Sequence, residues 1–283
     1  VLFDEVREIL CRTACRWAGV PLPDGEVPDR TREFGAMIEN SGRVDPRNWW
    51  ALMLRRRNER WVRDIIERAR DGRIEAPEGT PLSIITSHRD ADGNLLDTET
   101  AAVELINILR PITAVARFIV FEAVALHRYP DSRELVRHGG DVECFVQEVR
   151  RHYPFFPFIG GRARGSFEWQ EHRFSKGDWV LLDLYGTNHD RRIWEDPDTF
   201  RPERFRAWDE SPWTLVPQGA GEHATTHRCP GEWVTIALME QAASFLARAV
   251  VYDVPAQDLT ISLSRMPAIP KSGLILSTIR RAA

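Results

Sequence analysis

From Thr98 to about His127 the chain keeps apolar residues at helical spacing for about 30 positions, until Tyr129-Pro130 breaks the run. Its interior, Ala101 to Leu126, is long enough to span a bilayer. However, Glu104, Arg110, Arg117 and Glu122 lie inside it, and each would be costly in lipid. The stretch therefore predicts one long helix buried across the centre of a water-soluble core, about 45 Å in length at 1.5 Å per residue. A chain built on such a helix is not an integral membrane protein.

The composition agrees with that reading. With 283 residues, 43% hydrophobic and 28% charged, the chain can bury a sizeable core and is neither collagenous nor disordered. The net charge is -4 and no basic tract follows a phosphate backbone, so nucleic acid is not an expected partner. Four cysteines, Cys11, Cys15, Cys144 and Cys229, are too few and too irregularly spaced for a disulfide scaffold, which suits a reducing, cytoplasmic setting. The sequence opens Val-Leu-Phe-Asp-Glu-Val with an amphipathic helix already under way, and reads as a fragment entering inside a fold.

Elsewhere the patterning predicts helices over about 2–18, 29–40, 56–71, 141–152 and 231–249. From Pro154 onward short apolar runs bounded by Gly, Pro, Asn and Asp predict strands, including Ser166–Trp169 and Trp179–Leu184. A Pro- and Gly-rich loop over 196–230 precedes the final helix, and the tail over about 251–280 reads as short strands. The sum is mainly α with a minor β part, without the alternation of a doubly wound sheet.

Three places could carry chemistry. Cys229 is followed by Pro230, a residue favoured at a helix's first position, so its sulfur is expected beside a helix N-terminus, where a thiolate is stabilised. Such a thiolate is a strong axial ligand to iron, and the preceding glycines would let backbone approach a flat cofactor; a small buried free thiol is the equally open alternative. Zinc ligation by His223, His227 and Cys229 is disfavoured because His-x3-His-x-Cys is not a strong zinc signature and Pro230 interrupts the helix it would need. Glu148 and Arg151 share a helix face and can pair, although solvated pairs of this kind are common and worth little. At Arg110-Pro111 a proline removes a bond inside the long helix, beside a guanidinium in apolar company that calls for an anion; a wet stripe through Arg110 and Arg117 is the alternative.

Read together, Glu148-x-x-Arg151, Phe200-Arg201-Pro202-Glu203-Arg204-Phe205 and His227-Arg228-Cys229-Pro230-Gly231 occur in the order found in cytochrome P450s, which the chain resembles. The resemblance narrows at Leu109-Arg110-Pro111-Ile112, Phe145-Val146-Gln147-Glu148-Val149-Arg150-Arg151 and Leu182 through Asp190, which look like the bacterial fatty-acid peroxygenase branch. It implies one P450 domain over 1–283, lacking its N-terminal portion: 1–153 mainly helical, 154–283 carrying mixed β, the haem-binding loop and the last helix.

The resemblance also implies roles. Cys229 would be the thiolate ligand of a haem b iron and His227 a partner of a haem propionate. Glu148, Arg151 and the Arg204 region would form a structural set that holds the haem-binding scaffold. Arg110 would receive a fatty-acid carboxylate, with Pro111 as its companion. Oxygen-using members carry an acid and Thr at this bend to deliver protons, and neither Arg110 nor Pro111 can do so. The implied reaction is therefore hydroxylation of a long-chain fatty acid at the α or β carbon with hydrogen peroxide, the substrate carboxylate acting as general acid and base, with no redox partner protein. Decarboxylation to a terminal alkene, a reductase-fed monooxygenase and a non-enzymatic haem sensor are the rival readings. The Phe155-Phe156-Pro157-Phe158 run either lines the pocket or simply packs.

Overall fold

The structure, a computed structural model, describes residues 1–40 and 46–282. It has the expected mainly α architecture with a minor β part, divided into two compact units, and among the described residues no helix is long and apolar enough to cross a membrane.

The first unit holds Val1–Val120 with 253–257 and 272–277. Helix α1 (Leu2–Ala18) buries Val6, Leu10, Ala14 and Ala18, one stripe at four-residue spacing, and carries Asp4 and Glu5 at its positive end. It stops at Gly19, whose φ of 73° closes the C-terminus through N–H bonds to Cys15 and Arg16 carbonyls. Helix α2 (Val27–Glu39) starts just before the predicted boundary. Helix α3 (Pro46–Arg70) starts ten residues before its predicted start. The early part was hidden from apolar periodicity because Trp49 and Met53 stand 76% and 65% exposed, while only small or single positions such as Ala51 and Leu54 turn inward. Helix α4 (Pro81–Ser87), absent from the sequence reading, is capped by Thr80 Oγ1 accepting from Ser83 N–H.

The predicted single helix over 98–127 is corrected by the structure: α5 (Thr98–Ala114) and α6 (Ala116–Arg128) are separate segments that meet at Val115. Proline 111 has no N–H for the Asn107 carbonyl, and four residues later Val115 N–H turns to the Ile112 carbonyl at 3.2 Å, a tighter three-residue step. Regular bonding resumes where Ile119 N–H reaches the Val115 carbonyl. The Thr113 hydroxyl donates to the Arg110 carbonyl at 2.7 Å, engaging an acceptor at the bend. Leu105 and Leu109 of α5 are fully buried against α1, with Phe34 of α2 and Ile65 and Ile66 of α3 in the same cluster.

The second unit holds Phe121–Tyr252, 258–271 and 278–283. After α6, Pro130 does more than break the helical run as expected: it also opens α7 (Pro130–Arg137). Helix α8 (Val142–His152) follows as predicted, burying its residues from Phe145 through Arg151. Two antiparallel hairpins come next: β1 (Phe158–Arg162) pairs with β4 (Trp179–Asp183), and β2 (Phe167–Trp169) with β3 (His172–Phe174). A short helix α9 (Leu184–Asn188) follows β4, begun by Asp183, whose carboxylate accepts from Gly186 N–H. The predicted last helix over 231–249 is α10 (Glu232–Ser244) plus a wider turn through Ala249. In the tail only β5 (Val250–Asp253) and β6 (Ser277–Arg281) are strands, and the stretch between them is held by turns.

Candidate active site

The Cys229 loop is built by glycine. Gly219 has a φ of 97°, and a Cβ there would lie 2.6 Å from the His227 carbonyl oxygen, so the two arms of the loop approach as closely as backbone allows. Gly221, at φ 86°, is pinned in the same way against Thr226 and Trp213. The predicted reason for these glycines was approach to a cofactor; in the structure their immediate use is closure of the loop on itself. Inside the closed loop the Thr226 hydroxyl bonds to the carbonyls of Ala220 and Glu222, both at 2.8 Å.

Cys229 is a free, half-buried thiol at the end of that loop, and its sulfur takes no hydrogen bond from a described residue. Its N–H donates to the Gln218 carbonyl at 2.9 Å, and its carbonyl accepts from Glu232 N–H at 3.2 Å. Helix α10 begins at Glu232 with Gly231 as its cap, so Pro230 sits before the helix rather than at its first position. A Cβ on Gly231 would stand 3.8 Å from the sulfur, leaving that side of Cys229 open. His227 is exposed, with its ring hydrogen-bonded to no described residue. Among the described residues no group of three or more His, Cys, Asp or Glu side chains can hold a metal ion, so His223, His227 and Cys229 do not form a zinc site.

Beneath the loop, Glu148 and Arg151 are fully buried, unlike a solvated pair. Arg151 forks onto the carboxylate through Nε (2.7 Å) and Nη2 (2.8 Å), and also donates to the carbonyls of Asn188 (2.8 Å) and Pro197 (2.9 Å). Glu148 further accepts Arg201 N–H at 2.8 Å and lies 3.2 Å from Arg204 Nε. Arg204 spends its other nitrogens on the carbonyls of Glu195, Asp196 and Thr199. The structure thus brings Glu148, Arg151 and Arg204 together. Asn188 carries the connection onward: its carbonyl takes Arg151 and its side-chain oxygen takes Val216 N–H at 2.9 Å, at the root of the Cys229 loop.

Two residues whose roles helical spacing does not reveal stand beside these. Arg150, the neighbour of Arg151, is buried and donates to Gln147, Gln218 and Glu232. Glu232 takes Arg150 on one oxygen, and on the other Arg228 Nε (2.5 Å) and His223 Nε2 (3.0 Å). Burial resists ionisation of Glu232, but Arg150 and Arg228 outweigh it and hold the carboxyl below its ordinary pKa. Its place three residues after Cys229, opening a helix, was the available signal.

In the first unit, Arg110 is half-buried on α5, next to Pro111 in the helix interior. Its guanidinium makes no hydrogen bond or ion pair with any described residue. Burial, and then the positive charge of Arg55, pull its pKa below the ordinary arginine value. Arg117, expected on the same stripe, is instead buried and paired with Glu39, so the two do not form a wet stripe.

Comparison with known proteins agrees with this geometry. The family model described as cytochrome P450 matches residues 142–248. Curated relatives include rhazimal synthase of Alstonia scholaris, 30% identical over 60% of this chain and 39% of its own length, and a sterol 14alpha-demethylase of Mycobacterium bovis, 28% identical over 57% of this chain and 36% of its own. The chain thus spans well under half the length of these relatives. Among solved structures, cytochrome P450SP alpha (CYP152B1) is 47% identical with a TM-score of 0.94, covering 100% of this chain and 70% of that one. Cytochrome P450EX alpha (CYP152N1) with myristic acid is 42% identical at TM-score 0.93, over 99% and 69%. Cytochrome P450 OleT with arachidonic acid is 37% identical at TM-score 0.93, over 100% and 68%. The chain belongs to the cytochrome P450 family. Within it, the structures matched along its whole length include the CYP152 members P450SP alpha and P450EX alpha. The family carries haem on a cysteine thiolate, and Cys229 fits that donor: free, half-buried, with an unshared sulfur and an open glycine beside it.

Proposed function

We propose that the protein oxidises long-chain fatty acids at the α or β carbon with hydrogen peroxide, in the cytoplasm and without a redox partner protein. The observation that carries the reading is Arg110: a half-buried guanidinium with no ionic partner among the described residues, beside a proline that opens the helix bonding around it. A cation so placed is stabilised by an incoming anion, and a fatty-acid carboxylate matches its planar fork with two hydrogen bonds. The bound fatty acids of P450EX alpha and OleT support that substrate class.

Haem b bound through Cys229 would supply thiolate-pushed cleavage of the peroxide O–O bond. This chain's residues do the rest. Arg110 fixes the acid end, so that the carbons next to the carboxylate are the ones presented for oxidation. Pro111 has no N–H and Arg110 keeps its proton, so neither moves a proton, and the substrate carboxylate serves as general acid and base. Glu148, Arg151 and Arg204 hold the segments that carry the Cys229 loop, and His227, exposed at that loop, is the proposed partner of a haem propionate.

The test is mass spectrometry of products from the haem-loaded protein given a long-chain fatty acid and hydrogen peroxide alone. Hydroxylation at Cα or Cβ is expected. A requirement for NAD(P)H and a reductase, or haem binding without consumption of the acid, would overturn the reading, and terminal alkenes would replace hydroxylation by decarboxylation.

A further inference from the structure

We propose that Arg150 and Glu232 are positioning residues for Cys229, fixing where its sulfur lies; this rests on the reading of Cys229 as the haem-iron ligand. A closed ring of hydrogen bonds joins Cys229 to Arg150. Cys229 N–H donates to the Gln218 carbonyl (2.9 Å), and the Cys229 carbonyl accepts from Glu232 N–H (3.2 Å). Side chains of the same two residues converge on one guanidinium: Arg150 Nη2 donates to Gln218 Oε1 (3.1 Å) and to Glu232 Oε1. Both backbone polar groups of Cys229 are thereby referred to a single side chain on α8.

The helix that supplies this side chain is anchored independently, since the next residue, Arg151, makes the buried fork to Glu148. Glu232 adds a second hold. Its Oε2 takes Arg228, the residue directly before Cys229, and His223 farther back in the loop. One carboxylate thus grips the loop on the approach to Cys229, while its own backbone grips Cys229 from behind. A metal ligand on a loop gains its precision from supporting bonds of this kind, and a planar guanidinium holds two acceptors in a fixed relation.

A cavity of about 370 Å³ opens against this network, walled by Gln147, Arg150, His223, Arg228, Glu232 and Trp233. Its size admits small solutes to the clamp, which makes chemical rescue a usable readout.

The experiment compares the haem-loaded protein with R150K, E232Q and E232A. It reads haem affinity and the absorption of the reduced carbonyl complex, which reports whether sulfur is bound as thiolate and needs neither fatty acid nor peroxide. The expected result is a loss of about 10–100-fold in haem affinity in R150K and E232Q, with part of the carbonyl complex in a non-thiolate form. Sodium formate is expected to restore the thiolate signature in E232A by entering the cavity and supplying the missing carboxylate, and to do nothing for R150K. If E232A does not fold, the volume-conserving R150K and E232Q decide the matter. Parental affinity and an unchanged thiolate signature in both would overturn the proposal. A parent protein that binds haem without any thiolate signature would instead overturn the reading of Cys229 itself.

Discussion

Arg151 donates two parallel hydrogen bonds to Glu148, three residues earlier on the same helix, with neither side chain reaching solvent. The pair is therefore governed by desolvation. Removing one partner leaves a buried charge uncompensated, at a cost of about 3–5 kcal/mol. Glu148→Gln is expected to lower the urea midpoint accordingly, and Arg151→Lys to fail as a substitute because an ammonium cannot fork onto Glu148 while also reaching the Asn188 and Pro197 carbonyls. A midpoint unchanged in either variant would contradict this.

Glu122 on α6 is fully buried, and among the described residues neither of its oxygens has a hydrogen-bond partner. Burial first, and then Glu240 on α10, raise its pKa well above 4.5. The folded state therefore favours the protonated acid. Its contribution to stability is fully present below the unfolded pKa and is lost as pH rises toward the folded value. Glu122→Gln, which stays neutral, is expected to gain stability relative to the parent at pH 8 and little at pH 4. Denaturant midpoints at the two pH values check it, and parallel changes at both would contradict it.

His152 has the opposite sign. Burial, then the charge of Arg151 and the nearby His189, lower its pKa from 6.5 to about 3. Neutral His152, edge-on to Tyr153 and Phe200, favours the folded state above the unfolded pKa, and that contribution is lost as pH falls toward about 3. The His152 ring resonances in NMR are expected to stay in the neutral position through pH 5. A midpoint near 6.5 would contradict the burial argument.

Gly219 tests the closure of the Cys229 loop. With φ at 97° and a carbonyl oxygen 2.6 Å from where a Cβ would be, Gly219→Ala strains the backbone and pushes the arms of the loop apart. The expected cost is about 1–3 kcal/mol, with weakened haem binding. The equivalent change at Gly161, where a Cβ would meet no described atom within 4 Å, is expected to leave haem binding unchanged.

Much of this molecule was legible in its sequence because the informative residues act through local physics. Helix α1 follows from apolar spacing ended by glycine, and the Glu148–Arg151 pair from three-residue spacing on α8. The burial of that pair was not legible: nothing local shows that the carbonyls of Asn188 and Pro197, far along the chain, arrive to complete it. The early turns of α3 were hidden because Trp49 and Met53 face outward, against the rule that apolar residues mark the buried face. The break at Val115 lies four residues beyond the proline that explains it, so the sequence marks the cause and not the place. Arg150 was overshadowed by Arg151, because a side chain's partners across the fold cannot be read from helical spacing.

Arg110 is the proposed receptor of the substrate carboxylate. The most direct measurement is peroxide-driven turnover of a long-chain fatty acid and of its methyl ester, by the haem-loaded protein and by Arg110→Ala. Turnover of the acid alone, abolished by the substitution while the thiolate-bound haem spectrum is retained, is the predicted result. Equal turnover of acid and ester, or an Arg110→Ala variant that oxidises the acid as fast as the parent, would contradict it.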